Sequence, residues 1–491
     1  MLKYMMKNYL SFDLRALALM RIALASVIML DLCNRLTDLE VFYSNTGVVP
    51  LNMLFENVWN RYFISIHTIS GMWQVQLVLF LFAFFCAIML FIGYRTKLFT
   101  LLSWFMMLSL HNRNGLILQG GDDLLRMVLF WGIFIPWGAY YSYDNIRSPH
   151  ENRNTRIVTV ATVAYLLQIC YIYTGSALLK GPEWSRDFTA LYYTYSLDQI
   201  SYPITHYFYY HPELLKQLTA IAYFFELLVP VLFFIPVKHS LLRTLAVLTI
   251  IVFHSLNLMT LLIGLFPVIG ISTTLGILPT EAMDWLENKT KKFRAHTAES
   301  FTGIGAAIAK LIPWKKQNYE LGHIHYKIRT AVLIFLTVFT FDWNFSNLSF
   351  INSKISENFR FIGYSLRLDQ NWGMFAPGVF KDDGWYVVEG ITNENEHVNM
   401  LKPEQPLSYA KPLHVVDMFK SDRWRKYSEN FIFSENEFMR GYFCNYTKRI
   451  WNEQHPDKYI GTVQVIYMEE FTLPDYKYSL PKKTLLWECT E

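Results

Sequence analysis

Residues 74–92 read QVQLVLFLFAFFCAIMLFI and contain no charged side chain, within a longer charge-free window from 62 to 94. Two further windows, 157–179 and 244–280, also lack Asp, Glu, Lys and Arg. A transmembrane helix needs about 20 predominantly apolar residues, so each window can span a bilayer. The period-2 alternation of membrane β-barrels is absent, and the windows therefore predict helices.

The composition supports a membrane protein. Of 491 residues, 53% are hydrophobic and only 17% are charged. Soluble domains carry about 25% charged residues, so the cytosolic, disordered and collagen-like classes are excluded. The net charge of +4 is too small to indicate a nucleic-acid partner, and the predicted partner is the lipid bilayer. The basic N-terminus lacks a small-residue cleavage site and does not resemble a cleaved signal peptide.

We predict a mainly α-helical, polytopic bundle of about nine spans over residues 1–345. The spans lie near 16–33, 74–92, 98–111, 124–140, 157–179, 217–236, 241–260, 264–279 and 327–345. The window 244–280 also fits one span and a re-entrant piece, because Gly264, Pro267 and Gly270 interrupt it.

Basic residues give the expected orientation. Lys and Arg mark the cytoplasmic side, and here they are concentrated in alternate loops. Nine spans with a cytoplasmic N-terminus place all these loops inside and the C-terminal segment outside. In the loop 280–326, basic residues alternate with Phe293, Ile304 and Ile308, which predicts an amphipathic helix on the inner leaflet. A solvated linker is the alternative.

From residue 346 onward the chain becomes polar and rich in turns. WYVVEGI (385–391) and GTVQVIYMEEF (461–471) alternate like strands, and residues 436–453 have a helical pattern. Residues 346–491 are therefore predicted to form a small extracytoplasmic α+β domain. Its two cysteines, Cys444 and Cys489, are free to bridge in an exported domain, but their spacing leaves the pairing open.

Charged residues inside spans are costly and are functional hypotheses by default. Arg21 and Asp31 are ten residues apart and lie on different faces of one helix, so they cannot pair with one another. Each is expected to find a partner on another helix, and we favour structural ion pairing over catalysis.

The hairpin HNRNGLILQGGDDLLRMVLF (111–130) is the richest polar stretch. Asp122 or Asp123 is a natural N-cap, and Arg126 lies within pairing reach of both. Capping explains one acid but not the whole cluster, which is therefore predicted to form a site. Its members are His111, Asn112, Arg113, Asp122, Asp123 and Arg126.

A second polar set lies in the following helices. Lys180 ends a charge-free helix, either as a snorkelling ammonium or as a desolvated general base. Glu226 lies in mid-span, and His254 and Asn257 share a helix face at i, i+3. Together they are predicted to line one polar cavity, although a core histidine is the alternative for His254. The chain has no zinc spacing, P-loop, GxSxG or dinucleotide fingerprint, and no metal site is predicted.

Five ordered blocks resemble the horizontally transferred transmembrane domain family, the bacterial relatives of vitamin K-dependent gamma-carboxylase. They are residues 19–50, 111–136, 173–199, 254–272 and 366–390. The resemblance implies a bacterial inner-membrane protein that binds a reduced, vitamin K-like quinone. It further implies oxygen-dependent epoxidation of that quinone, with or without glutamate carboxylation.

The resemblance also assigns roles to residues. Lys180, which follows Tyr173 and Gly175, matches the lysine base of the carboxylase, and His111 with Asn112 matches the element that polarises the quinone. The expected quinone-binding residues are Arg113, Asp122, Asp123, Arg126, Tyr173, Glu226, His254 and Asn257.

Three functions follow as hypotheses. The leading one is a quinol-dependent epoxidase that resembles the carboxylase. The alternative is a non-catalytic membrane partner of a thiol-disulfide oxidoreductase or of the maturation of an exported protein or peptide, motivated by Cys444 and Cys489. A transporter comes third, because Arg126, Glu226 and His254 could line a path.

Overall fold

The computed structural model describes residues 9–147, 155–291, 323–346, 359–474 and 477–490, together with residues 303 and 348. Nine helices follow one another where the apolar windows predict them, and we number them α1 to α9. Their bounds are α1 Leu14–Leu36, α2 Trp73–Ile92, α3 Thr96–Arg113, α4 Gly120–Gly132, α5 Val160–Leu179, α6 Pro212–Leu232, α7 His239–Thr260, α8 Phe266–Thr274 and α9 His323–Phe345.

Six of these helices are long and apolar enough to cross a membrane by length and composition, namely α1, α2, α5, α6, α7 and α9. Helices α4 and α8 have 13 and 9 residues. At about 1.5 Å per residue, neither helix alone is long enough for the ~30 Å apolar layer of a bilayer. Helix α3 has 18 residues but carries Lys97, His111 and Arg113. The nine expected helices are present in the described residues, but only six of them reach the length and apolarity of a span.

The break between α7 and α8 falls at Gly264, inside the window in which an interruption was expected. Gly264 has a φ of +60°, a conformation that favours glycine. A Cβ added there would lie 2.4 Å from Gln119 Nε2 and 2.5 Å from Asp422 Oδ2. The turn therefore packs against both the start of α4 and the C-terminal domain.

Helix α1 lies inside the bundle and packs against α2 and α8. Helices α6, α7 and α9 instead turn large apolar side chains outward, including Ile221, Val252 and Val338. Such faces suit contact with lipid, because exposed apolar stripes of this length are rare in soluble proteins.

One end of the bundle is closed by a helix over residues 280–291. Its acids contact Arg15 in the first turn of α1 and Arg156, which precedes α5. Arg15 lies 2.8 Å from Asp284 and Glu287, and Arg156 lies 3.0 Å from Glu281. Most of the predicted basic amphipathic helix, from residue 292 to 322 apart from 303, lies outside the described residues.

The opposite end carries the C-terminal α+β domain, as predicted. Its antiparallel sheet has the order β4–β3–β5, with β6 and β7 both paired to β5. A short pair, β1 with β2, lies beside the start of α1. The strands are β1 Phe12–Asp13, β2 Arg156–Ile157, β3 Asp382–Thr392, β4 His397–Asn399, β5 Ile460–Leu473, β6 Lys477–Tyr478 and β7 Lys482–Cys489.

A short helix, α10 Arg360–Leu366, contacts Trp343 of α9, and two helices accompany the sheet, α11 Asp422–Ile432 and α12 Phe438–Gln454. Both predicted strands and the predicted helix over 436–453 are confirmed. Helix α12 packs on β5 and β7, and a disulfide joins Cys444 in α12 to Cys489 at the end of β7. The pairing that the spacing left open is therefore present.

Candidate functional site

The predicted site residues divide into two groups in the structure. One group surrounds the hairpin between α3 and α4, and the other lines a cavity between α5, α6 and α7. We describe the hairpin group first, because it connects the bundle to the C-terminal domain.

Four buried charges form what we call the anchor cluster: Asp31, Arg35, Asp122 and Arg423. Arg35 donates to Asp31 at 2.7 Å and to Asp122 at 2.6 Å. Arg423 of α11 donates to Asp31 at 2.9 Å and to both oxygens of Asp122, at 2.5 and 2.8 Å. Two carboxylates therefore balance two guanidiniums, as burial of charge requires.

Neither acid is the N-cap residue of α4, because that position is occupied by Gln119. Asp122 is the third helical residue, and its carboxylate accepts the backbone N–H of Gln119 at 2.9 Å, as in a capping box. Asp123 instead accepts from Arg126 at 2.6 Å. The capping-box hydrogen bond and the interdomain ion pair are thus made by the same carboxylate, so the position of α11 is tied to the start of α4.

Asp31 has the expected partner on another helix, Arg423 of α11, and it also pairs with Arg35 four residues on in its own helix. The expectation of an ion pair is wrong for Arg21. Arg21 has no acidic hydrogen-bond partner among the described residues, and donates to the backbone carbonyls of Leu90 and Tyr141 at 2.8 and 2.5 Å. Carbonyl oxygens at the end of α2 and in a loop therefore accept from both terminal nitrogens of this buried guanidinium, whereas its Nε has no hydrogen-bond partner among the described residues.

The remaining hairpin residues join loops together. His111 Nδ1 lies 3.1 Å from Arg126 Nη1. Asn112 donates to the Ile64 carbonyl at 2.9 Å and accepts from Arg367, which precedes the sheet. Arg113 donates to the Val49 carbonyl at 2.9 Å. None of these three hairpin residues lines the cavity described next.

His111 also belongs to a set of possible metal ligands. Ligand atoms of Asp31, His111 and Asp122 all lie within 4.8 Å of one another. Arg35 and Arg423 already bind both carboxylates, and two buried guanidiniums would repel a divalent cation at the same place. The donor set thus fits arginine better than a metal.

A cavity of about 1230 Å³ lies between α5, α6, α7 and the segment 373–383. Its walls are mostly aliphatic and aromatic. Five of the predicted site residues line it: Tyr173, Lys180, Glu226, His254 and Asn257. The predicted residues therefore share one cavity, but its walls are mainly apolar, and it contains the lysine but not His111 or Asn112.

Lys180 and Glu226 form a buried ion pair in this cavity. Lys180 Nζ donates to Glu226 Oε2, and the two side chains are only 3% and 8% exposed. The ammonium also lies 4.0 Å from the ring centroid of Trp184. Lys180 therefore does not snorkel to solvent, and its charge is balanced by an acid on the neighbouring helix.

His254 is held by contacts on two sides. Tyr173 Oη lies 2.9 Å from His254 Nε2. On the other side the ring packs on Gly270, where a Cβ would come within 2.2 Å of Nε2. Its other nitrogen, Nδ1, has no hydrogen-bond partner among the described residues, and neither has Ser176 Oγ. Both residues line the cavity.

The segment that precedes the sheet closes one end of the cavity. Gly181 donates to the Pro377 carbonyl at 2.6 Å, and Trp184 Nε1 donates to the Phe375 carbonyl at 2.9 Å. A Cβ on Gly181 would lie 2.8 Å from the Pro377 oxygen, so glycine permits this approach. The C-terminal part of the chain thus covers the lysine end of the cavity.

Asp383, at the start of β3, lies at the same end. Its carboxylate accepts the backbone N–H of Asp198. Burial, and next the charge of Asp198, raise the pKa of the Asp383 carboxyl well above its usual range. Lys411 contacts Asp198 at 2.5 Å and also contacts Glu470. The group therefore contains three acids, Asp198, Asp383 and Glu470, and one cation, Lys411.

A family model of the lipase maturation factor transmembrane domain matches residues 15–285, more than half of the chain. The chain belongs to the lipase maturation factor transmembrane domain family. No curated protein and no solved structure matches it. The match covers α1 to α8, and therefore includes the cavity helices and three members of the anchor cluster.

Membership of the lipase maturation factor family establishes an integral membrane protein. It does not extend to the carboxylase-like activity or to the quinone that the other resemblance implied. Helix α9 and the C-terminal domain, including Arg423, lie beyond the matched residues.

Sequence reasoning missed several residues of this lipase maturation factor domain and of the C-terminal part of the chain that packs on it. Arg35 could have been found, because it lies four residues after Asp31. Arg423 and Arg367 gave no local signal, since each lies in a polar segment and meets its partner more than 250 residues away. Ser176 gave none either, because a serine in an apolar helix is common.

Proposed function

We propose that this protein is a membrane-embedded maturation factor that assists the folding of an exported client protein, of which a lipase is the first candidate. The observation that carries the proposal is the match of residues 15–285 to the lipase maturation factor transmembrane domain. In this account the bundle positions the C-terminal domain at the membrane surface, and that domain contacts the client.

The anchor cluster supports the proposal. A domain that acts on clients while attached to a bundle needs a fixed position, and Arg423 supplies one through two carboxylates of the bundle. The Cys444–Cys489 disulfide supports an extracytoplasmic location, because disulfides persist in oxidising compartments. The bacterial inner membrane, with the N-terminus inside, remains our proposed setting.

The thiol version of the membrane-partner hypothesis receives less support. Cys444 is fully buried and bonded to Cys489, so it is inaccessible to a redox partner in the folded domain. We therefore propose a protein client rather than a thiol-disulfide oxidoreductase as the main partner.

In-cell photo-crosslinking tests this function. A benzophenone amino acid replaces Leu413, an 88% exposed residue of the C-terminal domain, or Trp285, a 62% exposed residue at the other end of the bundle. Crosslinks from position 413, but not from 285, to a newly exported lipase are expected. Equal crosslinking from both positions, or none from 413, would contradict the proposal.

A second candidate function is quinol-dependent base chemistry at Lys180. It is supported by Tyr173, Lys180, Glu226 and His254 lining one apolar cavity, where a quinone ring would be shielded from water. A transporter gains less support, because Arg126 does not line this cavity.

The second candidate is tested by aerobic incubation of the purified protein with reduced vitamin K. Oxygen-dependent epoxide that disappears in Lys180→Met, in preparations shown to be folded and monodisperse, would support it. No epoxide with any of several quinones would remove it and leave the maturation proposal standing.

A further inference from the structure

Several residues that line the cavity from α6 and α7 are themselves half-exposed, which indicates a lateral slot between the two helices. From α7, Leu245, Leu248, Val252 and Leu256 are 44–57% exposed. They recur at intervals of three and four and so form one stripe of the helix. On α6, Ile221 both lines the cavity and is 64% exposed. Since α6 and α7 are candidate spans, this slot faces the acyl region of the bilayer.

Inside the bundle, the polar end of the cavity carries hydrogen-bonding groups and one ion pair, whereas the other charged lining residues, Asp382, Asp383, Arg425, Lys426 and Glu429, belong to the C-terminal domain. Lys180 and Glu226 neutralise one another. The unpartnered atoms are His254 Nδ1 and Ser176 Oγ, on side chains that are 1% and 2% exposed as residues. Buried donors and acceptors without partners are unfavourable, so a bound group that pairs with them would be favoured.

These features define the chemistry of a ligand. An apolar wall and a lateral slot favour a long hydrocarbon chain that enters from the membrane. A neutral polar end favours an uncharged carbonyl or hydroxyl over a carboxylate or phosphate, because no unpaired cation faces this end of the cavity among the described residues. Pockets for small ligands have volumes of roughly 300–1000 Å³, so the cavity of about 1230 Å³ is large enough.

We infer that the cavity binds a neutral acylglycerol from the bilayer, with its ester or hydroxyl end at His254 and Ser176 and its chain between α6 and α7. Mono- and diacylglycerols are uncharged, carry ester carbonyl and hydroxyl groups, and dissolve in the acyl region of a bilayer. This inference does not depend on the proposed maturation function, which stands or falls on crosslinks at the C-terminal domain.

A photoactivatable monoacylglycerol with a diazirine and an alkyne in its acyl chain tests the inference. The full-length protein in nanodiscs is irradiated with this probe, digested and analysed by mass spectrometry. Labelled peptides are expected within 214–226 and 245–257, and excess monoolein should compete, whereas oleate should compete poorly.

Slot variants locate the entry. Leu248→Trp should reduce labelling about tenfold, equivalent to ~1.4 kcal/mol of binding free energy. Leu228→Trp is the matched control, because Leu228 is 54% exposed on α6 but does not line the cavity. Val252→Trp serves as the second slot variant if Leu248→Trp is not monodisperse.

Variants of His254 and Ser176 test the polar end of the cavity. His254→Phe and Ser176→Ala should weaken the ester probe and leave a probe with an ether in place of the ester unaffected. Labelling that is unchanged in both slot variants would overturn the inference. Displacement of the probe by menaquinone but not by monoolein would also overturn it, and would favour the quinol chemistry instead.

Discussion

Arg423 and Asp122 form a two-point ion pair, with guanidinium nitrogens 2.5 and 2.8 Å from the two carboxylate oxygens, although 301 residues separate them in the chain. Asp122 also accepts the backbone N–H of Gln119 at the start of α4, and Arg423 also contacts Asp31 in α1. The relationship connects the family-matched bundle to the domain beyond it. In our account, this connection allows a membrane protein to present a fixed surface to an exported client.

Replacement of Arg423 should destabilise the whole protein. Arg423→Met leaves Asp31 and Asp122 buried with one cation between them, and we expect a loss of about 3–5 kcal/mol. Lys420→Met is the matched control, since the Lys420–Asp38 pair is largely exposed on the lysine side and worth about 0–1 kcal/mol. Thermal unfolding in detergent, with limited proteolysis of the C-terminal domain, measures both. Equal stability of the two variants would show that the anchor cluster contributes little.

The disulfide should stabilise the C-terminal domain. It joins residues 45 apart, and its loss is expected to cost about 2–5 kcal/mol. The double variant Cys444→Ser, Cys489→Ser should melt earlier than wild type, whereas Cys33→Ser, at an exposed free cysteine, should not. Alkylation of the denatured, unreduced protein should modify three of the five cysteines; five modified thiols would refute the bridge in cells.

Lys180 and Glu226 should behave as a structural pair. Lys180→Met strands a buried carboxylate and should cost about 3–5 kcal/mol, while the double variant Lys180→Met, Glu226→Met should recover most of that loss. Lys216→Met, in an exposed pair with Glu213, is the control. Melting temperatures of the single and double variants test this prediction. A double variant as unstable as Lys180→Met would show that the ion pair does not stabilise this end of the cavity.

Asp383 should make stability fall as pH rises. Burial and the charge of Asp198 raise the pKa of this carboxyl, so the folded protein keeps a proton that the unfolded chain releases above about pH 4. The resulting stabilisation is complete below the unfolded pKa and is lost as the pH approaches the raised, folded value. Asp383→Asn should flatten the dependence of melting temperature on pH in this range and stabilise the protein near neutrality. An unchanged pH dependence would contradict this assignment.

Much of the fold was predictable because its signals are local. The charge-free windows place the long helices, and alternation within 385–391 and 461–471 places the two main strands. The number of full-length spans could not be predicted from the sequence, because the apolar windows do not reveal that helices α4 and α8 are too short to cross a bilayer by themselves.

The site was only partly predictable. Lys180, Glu226 and His254 stand out because charge and imidazole are rare in apolar helices, and the structure brings them to one cavity. Their partners were not predictable, because a hydrogen bond between α5 and α6 leaves no trace in the spacing of either helix. The anchor cluster depends on Arg423, whose polar surroundings in the sequence suggest an ordinary solvated helix.

The central claim is tested most directly by the specific activity of an exported lipase, measured per mole of secreted enzyme, in cells with and without this protein. Deletion should lower the specific activity while leaving the transcript level unchanged, and wild type and Lys420→Met should restore it. Arg423→Met at matched membrane abundance should not. Full specific activity of every exported lipase in the deletion strain would contradict the account.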